Sequence, residues 1–265
     1  MHSRVVVETA LRLRDEHGLG ARRVARQLGL LLATVRDWHA GRLPHSYLPH
    51  DSNGRRMGPH ACHRCGGNKH DFDELGGDYV HLLGLYLGDG SIAKHRRQVY
   101  RLRITLDVRY SGIVEECEAS MRAVVPKNRV GRQLRDCNCY DVYAYSKGWP
   151  CLFPQHGRGK KHERPIFLSE WQRKLAIRWP QQMLRGLIQS DGCRSYSTGR
   201  GGWTQPRYVF SNVSTDITSI FCSACDCLGL RWTASFPTNE SAAVSIYVSR
   251  KADVARLDEF VGPKR

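Results

Sequence analysis

Leu82-Leu83-Gly84-Leu85-Tyr86-Leu87-Gly88-Asp89-Gly90 recurs, with its small and acidic positions and three of its five apolar ones kept, as Leu184-Arg185-Gly186-Leu187-Ile188-Gln189-Ser190-Asp191-Gly192. Residues four apart share one face of a helix. Gly84 and Gly88 therefore form a smooth stripe on one helix, and Gly186 and Ser190 form the counterpart on the other. Facing stripes of small residues let two helix backbones approach closely. Each helix ends in its Asp, followed by a Gly suited to leaving the helix. Side by side, the two helices would bring Asp89 and Asp191 together at their C-terminal ends. The helix dipole is negative there, so two carboxylates in that position call for cations between them.

The two copies lie 102 residues apart, and the offset persists along the chain: Ile113 matches Ile217 and Lys147 matches Lys251, both at 104. After the first copy, residues 99–107 alternate as a strand, with Tyr100, Leu102, Ile104 and Leu106 on one face and Arg101, Arg103 and Thr105 on the other. A helix over 112–125 and strands near 129–134 and 140–146 follow. After the second copy the same order returns as a strand over 207–214, a helix over 216–228, strands near 231–236 and 244–248, and a last helix over 252–260. The stretch 150–164 joins the halves.

The paired nine-residue signature resembles that of the LAGLIDADG, or dodecapeptide, homing endonucleases, and the resemblance covers roughly residues 75–260. It implies an α+β fold, a pseudo-twofold duplicated αββαββα domain fused in one chain, with a β-saddle for DNA. It further implies a metal-dependent, site-specific endonuclease that acts on double-stranded DNA as a monomeric pseudo-dimer. Asp89 and Asp191 are then the ligands of Mg²⁺ (or Mn²⁺), and Lys147 and Lys251 match the basic residue that the family often keeps near the attacking water. A site with two carboxylates suits Mg²⁺, which binds through a few carboxylates, waters and phosphate oxygens. On the saddle, Arg101, Arg103 and Thr105, with Arg207 and Asn212, have the alternation needed to read base edges in the major groove. The sixth position of the signature is Leu87 or Gln189 in place of the acid of the family name.

Composition agrees with a polyanionic partner: in 265 residues, 41 Lys and Arg face 25 Asp and Glu, a formal charge of +16. No apolar run is long enough to span a membrane. The start Met1-His2-Ser3-Arg4-Val5 lacks a secretory core, so the expected compartment is the cytoplasm, bacterial and nucleoid-associated. Four segments are expected: 1–44, 45–74, 75–150 and 151–265. The first resembles resolvase-type helix-turn-helix modules, with Ala25, Gly29, Val35 and Trp38 at the small, turn and core positions and Leu11 and Leu13 closing the core. That resemblance puts Thr34, Arg36 and Asp37 at base edges and Arg22, Arg23 and Arg26 near phosphates. The second is a linker carrying Cys62-x2-Cys65, spaced for two thiolates on a structural Zn²⁺. Further ligands could come from His60, His63, His70, Cys151, His156 or His162. Cys222, Cys225 and Cys227 fall on an amphipathic helix and are expected to pack in the core. The rival reading is a transcriptional regulator that binds DNA on a non-cleaving scaffold of this kind, and an RNA-directed maturase is a third.

Overall fold

The computed structural model describes residues 2, 4–44, 62, 65, 70–237, 239 and 242–264. Most of the expected linker, His60 and His63 included, lies outside the described residues. Two compact units emerge, Met1–His70 and Asp71–Arg265.

In the first unit, helices α1 (Arg4–Asp15), α2 (Ala21–Leu28) and α3 (Leu32–His39) close over Val7, Ala10, Val24, Ala25, Val35 and Trp38. Val7 and Ala10 supply the buried face of the first helix, and Leu11 and Leu13, expected to close the core, are only partly covered. Gly29 ends α2 in the left-handed region (φ 63°), and Leu30 N–H returns to Ala25 O at 2.9 Å.

The second unit holds α4 (Gly77–Asp89), β1 (Gly90–Lys94), β2 (Tyr100–Asp107), α5 (Ser111–Val124), β3 (Val130–Arg135), β4 (Cys139–Ser146) and α6 (Trp149–Leu152). It continues with α7 (Glu170–Arg178), α8 (Pro180–Asp191), β5 (Gly192–Thr198), β6 (Thr204–Asn212), α9 (Thr215–Cys227), β7 (Thr233–Ser235), β8 (Val244–Val248) and α10 (Lys251–Phe260). The strands form two antiparallel four-stranded sheets, ordered β1-β2-β4-β3 and β5-β6-β8-β7. In the first, Leu102 pairs with Ala144 and Ile104 with Val142; in the second, Phe210 pairs with Ile246. All six side chains are buried in one core with α4, α8, α5 and α9. Among the described residues no helix is long and apolar enough to cross a membrane.

Four elements depart from the expectation. Strands β1 and β5 begin directly at Gly90 and Gly192, and neither alternates in a way that announces a strand: β1 reads Gly-Ser-Ile-Ala-Lys. Each pairs with the next strand across a short turn, with left-handed residues at Arg97 and Gln98 or at Gly201 and Gly202. Strand β6 starts at Thr204, before the expected 207, and runs through Pro206. Only β5 pairs with that early stretch, since β8 reaches no further than Tyr208, so the missing proline N–H costs no ladder bond on the open side. Helix α7 does not stand out in the sequence, although Ser169 and Gln172 form a capping box at its start.

Candidate functional site

Helices α4 and α8 meet backbone to backbone. A Cβ added to Gly186 would lie 2.3 Å from His81 O and 3.0 Å from Gly84 Cα; one on Gly84 would lie 2.9 Å from Gly186 Cα. One turn on, a Cβ at Gly88 would strike Ser190 Oγ at 2.2 Å and lie 2.9 Å from Asp191 Oδ2. The small-residue stripes of the two signatures therefore face each other, and the Asp191 carboxylate reaches across the seam to the residue before Asp89. Gly90 and Gly192 are glycines for a related reason. Their φ values are −90° and −112°, ordinary extended backbone, but a Cβ would sit 2.5 Å from Tyr86 Cα or 2.7 Å from Ile188 Cα. Close approach, not a left-handed backbone, excludes a side chain there.

A polar cluster fixes the same pair of helices higher up. Buried His81 meets Gln189 Oε1 through Nε2 at 2.6 Å and Ser120 Oγ through Nδ1 at 2.9 Å. Gln189 Nε2 donates to Glu116 at 2.8 Å, and Arg185 grips the same carboxylate with Nε at 2.9 Å and Nη2 at 2.5 Å. Burial lowers the His81 pKa; against burial, the Arg185 and Gln189 bonds hold Glu116 below the usual carboxylate range. The non-acidic Gln189 of the second signature thus has a structural use.

Asp89 and Asp191 end α4 and α8. Asp89 keeps solvent access, yet the protein crowding its carboxyl and the Asp191 charge push its pKa up to about 6. Asp191 is raised as well, chiefly by burial, and Asn212 Nδ2 donates to its Oδ2 at 2.7 Å. Two lysines oppose these shifts, Lys161 and Lys264. Lys161 Nζ donates to the main-chain carbonyls of Tyr86, Gly88 (2.6 Å) and Gly90 (3.0 Å), where α4 runs out of intrahelical partners. Lys264 Nζ donates to Ser190 O at 3.0 Å, the matching place on α8. Each lysine thus caps the carbonyl just before its helix's Asp. Burial lowers the Lys161 pKa to about 8 and lowers that of Lys264, with Asp89 and Asp191 resisting both. An open cavity of about 510 Å³ lies beside this group, lined by Gly88, Lys161, Arg164, Asp191 and Asn212 among others.

Neither lysine is among the residues expected from sequence, although the two are 103 residues apart, within the spacing of the repeat. The pair expected there stands elsewhere in the chain: Lys147 in the turn after β4, Lys251 exposed as the first residue of α10. The charges acting on the acids are those of Lys161 and Lys264. Asn212, expected at a base edge, instead spends its amide on Asp191 and its Oδ1 on Ser214 N at 2.7 Å.

The outward face of β2 carries Arg101, Arg103 and Thr105, as the alternation predicts. They gather on Asp141 of β4, 1 % exposed: Thr105 Oγ1 donates at 2.8 Å, and Arg103, Arg101 and Arg135 lie at 3.6, 3.9 and 3.2 Å. Three guanidinium groups on one carboxylate leave this face positive. Arg101 lies over the Tyr143 ring at 4.3 Å, and Arg207 of β6 lies over Tyr247 at 4.8 Å, so an Arg–Tyr stack recurs in both sheets. In the first unit Arg22, Arg23 and Arg36 line one surface depression, Arg26 is exposed and Thr34 is half-buried. Asp37 is held by Arg42 at 2.8 Å. The signature glycines Gly84, Gly88 and Gly186, with Ser190, sit at the helix seam as expected.

No protein-family model and no curated protein matches this sequence. Solved structures do match in fold. The homing endonuclease I-DmoI in complex with DNA and Ca is 17% identical, with a TM-score of 0.48 over 72% of this chain and 91% of that one. The LAGLIDADG meganuclease I-AabMI bound to uncleaved DNA is 11% identical, with a TM-score of 0.44 over 70% and 83%. The N-terminal LAGLIDADG domain of DUF199/WhiA is 13% identical, with a TM-score of 0.44 over 74% and 86%. The chain is thus similar in fold to LAGLIDADG homing endonucleases and to the WhiA LAGLIDADG domain.

Proposed function

We propose that the chain is a site-specific double-strand DNA endonuclease whose two halves act as a pseudo-dimer within one monomer. The observation that carries this reading is the pairing of Asp89 and Asp191 at two helix C-termini, with burial first and the Asp191 charge second raising the Asp89 pKa. Carboxylates so placed repel each other and the helix dipoles, and a divalent cation relieves both. The donor set fits a hard ion such as Mg²⁺ or Mn²⁺. Lys161 supports the fit as a stand-in cation: its ammonium is held by three carbonyl oxygens beside the two acids. Bound there, a divalent ion would activate water and stabilise charge on the scissile phosphate.

The lysines divide the remaining work by their hydrogen bonds. Lys161 has three N–H groups and three carbonyl acceptors, so it fixes the helix end and supplies field, not a donor to substrate. Lys264 gives one bond to Ser190 O and can turn its other N–H groups towards a phosphate oxygen. Asn212 holds the Asp191 carboxylate in its rotamer. The Arg101 and Arg103 face and the Arg207 stack form the two arms of a saddle on duplex DNA, with Lys147 and Lys251 as further phosphate contacts. The first unit acts as a helix-turn-helix that adds affinity by tethering, with Arg22, Arg23, Arg26, Thr34 and Arg36 towards DNA. Work on DNA fits a cytoplasmic, nucleoid-associated protein. Zinc in this reading belongs to a separate site on Cys62 and Cys65.

The test incubates the full chain with duplex DNA from the flanks of its own gene, with and without Mg²⁺, beside an Asp89→Asn, Asp191→Asn double variant. Double-strand breaks that need the metal and vanish in the variant, while DNA binding persists, are the expected result. Tight, sequence-specific binding without scission under Mg²⁺ or Mn²⁺ would replace the nuclease with a regulator.

A further inference from the structure

We infer that Cys62, Cys65 and His70 hold a structural zinc ion, independent of the acid centre. Their ligand atoms all lie within 4.8 Å of one another, and Cys65 Sγ is 3.3 Å from His70 Nε2. Tetrahedral zinc with Zn–S about 2.3 Å and Zn–N about 2.0 Å sets an S···N separation of about 3.5 Å and S···S of about 3.8 Å. Cys65 and His70 are therefore already close to the spacing that one ion imposes, and Cys62 lies within 4.8 Å of both. All three are only partly buried, so an ion can reach them from solvent. The C-x2-C spacing suits two thiolates on one ion, and His70 follows five residues after Cys65.

The donor set also decides which metal. Thiolate with imidazole selects zinc over the oxygen-loving Mg²⁺ and Mn²⁺. A closed structural site takes four protein ligands. The sequence offers His60, His63, Cys151, His156 and His162 for the fourth; Cys151 is a buried thiol. The ion's binding energy becomes folding energy for the segment that carries Cys62, Cys65 and His70. Because the ligands are remote in chemistry from the paired aspartates, zinc content and DNA cleavage separate cleanly in experiment.

The full chain is purified from zinc-supplemented cells without chelators, and its metal is counted by mass spectrometry. One zinc per chain is expected, falling severalfold in Cys62→Ser, Cys65→Ser and His70→Ala, and unchanged in Cys137→Ser and in the Asp89→Asn, Asp191→Asn variant. Substituted Co²⁺ should give a tetrahedral visible spectrum with a thiolate charge-transfer band. A third-thiolate increment that disappears in Cys151→Ser identifies the fourth ligand as that cysteine; its absence assigns an imidazole, and either result supports the site. Should one variant fail to fold, the cobalt spectrum of the parent chain still decides. Wild-type protein with well under one zinc per chain and an octahedral, thiolate-free cobalt spectrum overturns the inference.

Discussion

Replacing Gly186 with Ala tests the seam on which the paired acids depend. The new methyl would start 2.3 Å from His81 O and 3.0 Å from Gly84 Cα and Leu85 N, all main-chain atoms of α4. No side chain can rotate away, so the helices must part until the contact reaches an ordinary distance of about 3.4 Å, a shift of about 1 Å. Overpacking of this kind costs about 1–3 kcal/mol. For a unit of this size each kcal/mol lowers Tm by about 2–4 °C, so a fall of about 2–12 °C is expected by calorimetry. The same displacement separates Asp89 from Asp191, and a 1 Å misplacement of catalytic groups can cost about a hundredfold in rate. The control is Gly76→Ala at the start of α4, where φ is −95° and nothing lies within 4 Å of the added carbon. If Gly186→Ala melts with the control and the parent, within about 1 °C, the close-packed seam is wrong.

Further outcomes follow from the site. Asp89 titrates near 6, above the ordinary 3.8, so the fold favours its protonated form; that stability is complete below about pH 4 and is lost as pH rises through 6. Asp89→Asn should therefore raise Tm at pH 7.5 without divalent ions, and the gain should vanish towards pH 4; a gain that does not vary with pH would contradict this. Lys161→Met removes a cation that competes for the helix-end oxygens, so calorimetric Ca²⁺ affinity should rise several-fold at pH 7. Because Lys161 titrates near 8, that advantage should shrink at pH 9. Arg185→Met strips Glu116 of its bidentate partner at a part-exposed site, and a loss of about 1–2 kcal/mol in urea unfolding is expected. Arg101→Ala with Arg103→Ala should flatten the slope of log K against log salt for duplex binding, by about 0.9 for each phosphate that the arginines no longer neutralise. An unchanged slope would remove that face from the interface.

How far the fold and site can be read from sequence follows from where the information lies. The duplicated signature makes α4 and α8, their small-residue seam and the terminal acids readable, because spacing on a helix dictates which residues face each other. Alternation exposes β2, with its arginines on one side. Strands β1 and β5 are invisible because tertiary pairing, not local pattern, makes Ser91–Ala93 or Arg194–Ser197 extended. Of the lysines at the acid centre, Lys161 opens a single 3₁₀ turn between α6 and α7 and Lys264 follows α10, and neither segment has periodicity to mark it. Lys147 and Lys251 draw attention because they follow strands at a shared offset, yet Lys161 and Lys264 share an offset as well. Only the fold separates the two pairs. Asn212 looks like an exposed strand residue, and its duty to Asp191 depends on β6 running beside the end of α8.

The proposed nuclease requires two aspartates, far apart in the chain, to act as one cation site. The most direct measurement is a Mn²⁺ titration of the full chain with excess duplex DNA at pH 7.5, followed by the resonance signal of free ion, for the parent and for Asp89→Asn and Asp191→Asn separately. If the carboxylates share ions across the seam, each single variant loses most of the binding. If either variant keeps the parent's stoichiometry and affinity, the two acids are independent and the proposed centre does not exist.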